Sequence, residues 1–283
     1  MINYNGKMIA QEDASLSIDN RGYHYGDSLF ETLRVVHGKL MFWEDHYFRL
    51  MASMRILRME IPMSFSPEFL EEEILSCVKE NGLEDQSVRV KINVHRLPGG
   101  LYLPQQREIG YMISTSLLDT PFYISDEDAY EVELYKDHYV ASGLLSTLKT
   151  NNRIVNVLGS IYAEENDYDN CLLLNEKKSV LEALNGNIFL VKGNSIKTPP
   201  LSDGCLNGIV RKNLISIIGK IEDFDLKEES ISPFELQKAD ELFVTNSIMG
   251  IKSITKYRKK MYNFATANNL RAKLNTQARL GQL

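Results

Sequence analysis

A lysine that loses part of its hydration gives up its proton more readily and can serve as a nucleophile or base. Lys149, in LLSTLKTNNR, follows an apolar run and precedes a helix-like segment, which makes it a candidate of that kind. An ordinary exposed lysine is the alternative reading. Glu182 sits in the apolar stretch SVLEAL, where alternation leaves it free to face solvent or core. Arg49 lies off the apolar stripe of its own segment, EDHYFRLMASMRILRME, so periodicity alone reads it as solvated. It meets an anion only if a second element covers that face. Near TPPLSDGCLNGIVRKNL, a glycine-punctuated turn feeds a helix beginning around Gly208. The first N–H groups of a helix are unpaired and the dipole there favours negative charge. The N–H groups of Ile209 and Val210 therefore make either an anion cup or an ordinary strand–turn–helix connection. The stretch has no Gly-Lys-Ser/Thr and is not a nucleotide P-loop. In ELFVTNSIMGI a strand ends on Thr245, Asn246 and Ser247, polar side chains at a place where sites and plain turns both occur.

These residues need elements to hold them. Asn5-Gly6 and His37-Gly38 each mark a hairpin. Two helices follow: one carries Tyr47, Leu50, Met51, Met54 and Leu57 on a single face. The other is capped by Ser66, opens with Pro67, buries Leu70, Ile74, Cys77 and Val78, and stops at Gly82. In VRVKINV, Val88, Val90, Ile92 and Val94 alternate as a strand, and IGYMIST follows. The irregular, acidic LLDTPFYISDED marks a boundary: residues 1–118 form an N-terminal domain, 119–124 a linker and 125–283 a C-terminal domain. In the second half YEVELY, LLSTLK, CLLLN, SVLEAL, NIFLVKG, SIKT and ELFVT are strand-like, with a turn at Lys192-Gly193-Asn194. Ile154, Leu158 and Ile161 recur at helical spacing. A second helix runs from about Gly208 to Gly219 with Leu214, Ile215 and Ile218 inward, and a polar helix closes the chain. The pattern is α+β in two parts.

Composition narrows the function classes. The chain has 283 residues, 43% hydrophobic and 25% charged, with a net charge of −6. That charge argues against nucleic acid or an anionic membrane as partner. The amino terminus lacks an apolar core of signal-peptide length, and no stretch reaches the ~18 apolar residues of a span. A cytoplasmic location is the expectation. Cys77, Cys171 and Cys205 are odd in number and far apart, which fits reduced thiols. The histidines show no paired spacing, so no metal site is expected.

Taken in order, NRGYHYGDSLFETLRV, HYFRL, LKTNNR, LEALNGNIF, TPPLSDGCLNGIVR and ADELFVTNSIMGI resemble the fold-type IV pyridoxal-phosphate enzymes over nearly the whole chain. That group holds the branched-chain aminotransferases, the D-amino acid aminotransferases and the aminodeoxychorismate lyases. The resemblance implies a small α/β N-terminal domain and a larger, mixed β-rich C-terminal domain carrying the Schiff-base lysine and most of a phosphate cup. It implies pyridoxal 5'-phosphate as cofactor, with Lys149 as the lysine that bonds it and Glu182 facing the ring nitrogen. Arg49, Gly208, Ile209, Val210 and Ser247 fall at phosphate-binding positions, with Asn187 and Asn246 beside the cofactor. Tyr25, Phe30, Arg34 and Lys91 fall in the substrate pocket or support it. Lys91 and the segments KTNNR, CLNGIVR and TNSIMGI resemble the lyases more than the branched-chain enzymes. HRLPGGLYLP departs from some lyases in lacking an arginine after its glycine pair. The implied substrate is a small amine bearing a carboxylate, and the implied assembly is a homodimer. A non-catalytic cofactor-binding protein of the same fold is a third reading, disfavoured by the joint presence of Lys149, Glu182 and Arg49.

Overall fold

The alternating residues 88–94 build the centre of the first half of the molecule. In the computed structural model, which describes residues 1–124 and 128–280, Val88, Val90, Ile92 and Val94 are all 0% exposed. Each such side chain contributes about 1.5–3 kcal/mol of transfer free energy. They lie on β5 (Ser87–Arg96), flanked by β3 (Ser28–Val36) and β6 (Ile109–Leu117). With β1 (Ile2–Tyr4), β2 (Lys7–Ile9) and β4 (Lys39–Leu40) the sheet order is β2-β1-β6-β5-β3-β4, antiparallel throughout. Asn5 (φ 51°) and Gly6 (φ 80°) turn the first hairpin, and His37 (φ 48°) and Gly38 (φ 73°) the second. The positive φ values are those a tight hairpin turn requires.

The short α1 (Arg21–Tyr25) precedes β3; α2 (Trp43–Ile56) and α3 (Pro67–Glu80) follow β4. In α3, Ser66 Oγ accepts the N–H of Phe69, Pro67 occupies the first turn, and Leu70, Ile74, Cys77 and Val78 are buried. These elements form one compact unit, Met1–Phe122 together with Lys149–Asn152. The lysine segment, which the sequence places in the C-terminal domain, therefore clusters with the first unit. The cause is a short ladder to β3. Phe30 N–H donates to the Lys149 carbonyl (2.9 Å), Asn151 N–H donates to the Ser28 carbonyl (3.1 Å), and Leu29 bridges Thr150.

The second unit is Tyr123–Leu148 with Arg153–Arg279. Residues 125–127, in the expected boundary stretch, lie outside the described residues, as do the last three of the chain. The unit contains β7 (Glu131–Val140), α4 (Ile154–Glu165), β8 (Asn170–Asn175), β9 (Val180–Ala183), β10 (Asn187–Lys192), β11 (Ser195–Thr198) and α5 (Ile209–Ile218). After them come β12 (Asp225–Glu228), α6 (Pro233–Leu236), β13 (Glu241–Asn246), β14 (Gly250–Ile254), β15 (Lys256–Tyr257), β16 (Lys260–Met261) and α7 (Ala265–Leu280). One sheet runs β12-β11-β10-β13-β14 and another β16-β15-β7-β8-β9. Leu172, Val180, Ile188, Leu242 and Val244 join one buried cluster. Phe189 and Phe243 stack across β10 and β13 with centroids 5.1 Å apart.

One expectation for this half is corrected. LLSTLK is not a strand: Leu144–Thr147 is a 3-10 turn, because Ser146 Oγ donates to the Gly143 carbonyl and Thr147 Oγ1 to that of Leu144. Such hydroxyls offer the backbone an alternative to a ladder. In α4 the Ile154, Leu158 and Ile161 stripe points outward, at 66%, 37% and 44% exposure, while Gly159 and Ala163 form the buried side. The polar α7 acquires a reason: buried Glu241 accepts the N–H groups of Thr266 and Ala267 at its start, and Ala267, Leu270, Leu274 and Ala278 face inward.

Candidate active site

In the first unit Lys149 is held by the ladder to β3 and by Asn152, whose Nδ2 donates to the Gly26 carbonyl at 3.1 Å. A Cβ on Gly26, which has φ 62°, would lie 2.2 Å from Asn152 Oδ1, so the turn requires glycine. The Lys149 ammonium sits 4.3 Å from the Phe30 ring centroid, and that of Lys91 5.0 Å from the same centroid. Burial first, and the Arg89 charge second, hold the Lys91 amine below the usual lysine range. Lys149 and Lys91 thus both approach the Phe30 ring. Arg34 is buried and gives Nη1 to the Thr120 carbonyl (2.6 Å), anchoring the chain after β6. The Tyr25 ring lies 5.6 Å from that of Tyr102 and under the Arg21 guanidinium.

Arg49 is not solvated. Its side chain is 10% exposed and pairs side-on with Glu31, Nε to Oε1 at 2.8 Å and Nη2 to Oε2 at 2.5 Å. His46 Nδ1 reaches Glu31 Oε2 at 2.7 Å. Burial pushes the Glu31 carboxyl up, but the Arg49 charge and the hydrogen bonds of His46 and Arg49 outweigh it and hold the group at about 2. Burial lowers the His46 pKa; Glu31 opposes this, and the charges of Arg49 and Lys149 reinforce it. His46 is thus neutral at ordinary pH and donates Nδ1–H to an acceptor-only carboxylate. The contact is a neutral-donor hydrogen bond and not an ion pair.

Glu31 and His46 escape a reading by motif alone, although both leave a trace. Leu29, Leu33 and Val35 define the core-facing register of β3, and Glu31 falls on it. His46 and Arg49 are three apart on one helix, hence neighbours on its surface.

In the second unit Glu182, on β9, is 7% exposed and its Oε2 accepts the N–H of Leu206 (2.9 Å). Asn187, on β10, donates Nδ2 to the carbonyl of Leu206 (2.8 Å). Glu182 and Asn187 thus grip the residue two before Gly208. Gly208 is the N-cap of α5, and a Cβ there would lie 2.0 Å from Asn187 Oδ1. Close packing against Asn187 accounts for the glycine. Ile209 and Val210, both buried, begin the helix and leave their N–H groups without intrahelical partners. Asn246 Oδ1 accepts the N–H groups of Ile248 and Met249, so its side chain shapes the turn that carries Ser247. The Ser247 carbonyl receives the Tyr123 hydroxyl at 3.0 Å. Thr245, 1% exposed and opposite Asn187 in the ladder, has a buried hydroxyl with no hydrogen-bond partner among the described residues.

Within the second unit the donor set fits a phosphorylated aromatic cofactor on these observations: the orphaned buried hydroxyl of Thr245, the helix N–H groups at the start of α5 and the buried Glu182 carboxylate. Cys77, Cys171 and Cys205 are free and buried. Burial first raises the Cys205 thiol, to about 12, so it is an inert thiol.

The class IV aminotransferase family model matches residues 28–257. The chain belongs to that family and to its fold-type IV enzymes. It is similar to a Methanocaldococcus jannaschii protein provisionally named a branched-chain-amino-acid aminotransferase, 28% identical over 95% of this chain and 92% of the relative. It is also similar to the aminodeoxychorismate lyase of Vibrio harveyi, 26% identical over 84% and 86% of the two chains. The structure of the Thermoproteus uzoniensis branched-chain aminotransferase with norvaline superposes with a TM-score of 0.87, over 99% of this chain and 95% of that one, at 23% identity; this likeness concerns the fold.

Proposed function

We propose that this enzyme binds pyridoxal 5'-phosphate and converts 4-amino-4-deoxychorismate to 4-aminobenzoate and pyruvate, a step of folate biosynthesis. When bound, the cofactor supplies an electron sink for charge developing at the carbon that bears the substrate's amine. Lys149 provides the amine that anchors the cofactor, then takes the proton from that carbon. Glu182 is the carboxylate that would pair with the ring nitrogen of the bound cofactor and favour its protonated form. Arg49, the N–H groups of Ile209 and Val210 at the Gly208 turn, and the Ser247 hydroxyl are the groups that would hold the phosphate. Asn187 holds the Leu206 peptide against Glu182, and Asn246 shapes the Ser247 turn. Departure of pyruvate leaves an aromatic ring, which drives the reaction forward.

The observation that carries the lyase reading is the pair of ammonium groups on Phe30: Lys149 at 4.3 Å and Lys91 at 5.0 Å from one ring centroid. A second cation on the ring that Lys149 meets suits a substrate that brings carboxylate to this ring. The second reading is a class IV aminotransferase acting on branched-chain or related amino acids with 2-oxoglutarate. The apolar tip Leu101–Leu103, set where some lyases place an arginine, favours it.

Purified protein supplied with aminodeoxychorismate and no amino acceptor should release pyruvate. Turnover only with branched-chain amino acids and 2-oxoglutarate would replace the lyase reading with the transferase. Lys149→Ala should abolish either activity, and borohydride should fix the cofactor to Lys149 in the parent protein. The enzyme is expected to work as a cytoplasmic homodimer, a reading supported by the outward apolar stripe of α4.

A further inference from the structure

Arg49 is a long side chain, and an unrestrained guanidinium loses rotamer freedom whenever it is ordered by a ligand. Here that ordering is already done. Glu31 takes the Nε–Nη2 edge with both carboxylate oxygens, at 2.8 and 2.5 Å. Glu31 has little freedom itself: it is 1% exposed and its backbone is paired with Ile92 in the middle of the sheet. Its Oε2 is fixed a second time by Nδ1 of His46, which is 0% exposed and lies three residues before Arg49 on α2. The carboxylate is thus held between a strand and a helix, and the guanidinium is held by the carboxylate.

Stability alone does not explain the arrangement. Buried ion pairs commonly do no better than apolar residues of the same volume, because desolvation offsets their attraction. They do specify geometry, and a side-on carboxylate fixes the plane and direction of the guanidinium. The His46 imidazole, neutral and donating through Nδ1, adds that second anchor without adding a competing positive charge.

We propose that Glu31 and His46 are positioning residues that act through Arg49, presenting its guanidinium in one orientation to the phosphate of the cofactor. The inference rests on the reading of Arg49 as a phosphate ligand. Glu31 neutralises part of the Arg49 charge and in exchange fixes where that charge is offered, so affinity gained by orientation exceeds attraction lost by pairing.

The test is a titration of the full-length apoprotein with pyridoxal phosphate and, separately, with pyridoxal, which lacks the phosphate. Binding is followed by absorbance and thermal stability is measured alongside. Glu31→Gln keeps the volume and loses the charge. It should weaken pyridoxal phosphate about tenfold or more, the scale of a displaced charge-assisted hydrogen bond, and leave pyridoxal unchanged. His46→Asn, which retains an N–H donor near Nδ1, should keep the preference for the phosphorylated ligand, whereas His46→Leu should lose it. Equal weakening of both ligands by Glu31→Gln, or unchanged or tighter binding of pyridoxal phosphate, overturns the inference. If the parent protein prefers pyridoxal phosphate and Arg49→Gln loses that preference while Glu31→Gln keeps it, the positioning role alone falls. If the parent protein shows no such preference, or Arg49→Gln keeps it, the phosphate reading of Arg49 falls too.

Discussion

At the scale of single residues, the most constrained group is the Glu31 carboxylate. Burial opposes its charge, yet Arg49 and His46 hold it at about 2, below the ordinary carboxylate value of 4.5. A group whose pKa is depressed by folding stabilises the folded state fully above its unfolded value and loses that contribution as pH falls through the folded one. The window here runs from about 4.5 down to about 2. His46 acts in the same sense from higher pH, because its folded pKa is also lowered and the unfolded chain takes up the proton first. Thermal unfolding of the parent protein should therefore show lower midpoints with each step from neutrality into acid. Glu31→Gln should flatten the part of that slope below about pH 4.5. A parallel acid profile for parent and variant would show that Glu31 does not carry the linkage.

At the scale of elements, the start of α5 is the most demanding. Glu182 and Asn187 reach it from β9 and β10, and both bind the backbone of Leu206. Gly208→Ala would drive a methyl to 2.0 Å from Asn187 Oδ1. Overpacking of this kind costs about 1–3 kcal/mol. The Asn187 amide must move, and with it the peptide that Glu182 grips. The expected outcome is a lower melting temperature together with weaker pyridoxal phosphate binding. A variant that lost stability and kept full cofactor affinity would separate the helix start from the phosphate.

For the whole molecule, the informative surface is on α4. Ile154, Val157, Leu158 and Ile161 are 66%, 50%, 37% and 44% exposed, and Leu144 and Leu145 add 62% and 64%. The exposed apolar stripe along α4 marks a candidate interaction surface. If the chain is a homodimer through this face, Ile161→Glu should shift it toward monomer in sedimentation or light scattering and leave the fold intact by circular dichroism. A parent protein that is already monomeric would overturn the homodimer, and a variant that stays dimeric would move the interface elsewhere.

Residue types and spacing determined most of the elements. Local rules act within a few positions, and they account for the Asn5-Gly6 hairpin, the Ser66 cap, the alternation of Val88 to Val94 and the helix between Gly208 and Gly219. The motif order likewise led to the class IV family that the family model matches. Periodicity could not assign Arg49, because whether the polar side of a helix meets water depends on what covers it. Here Glu31, from a strand 18 residues away, covers it. The same limit applies to the α4 stripe, which has helical spacing but faces outward. It applies also to Lys149, whose ladder to β3 joins residues 28–30 with 149–151. Charge pairing, burial and pKa are properties of neighbours brought together by folding, so only the tertiary structure decided them.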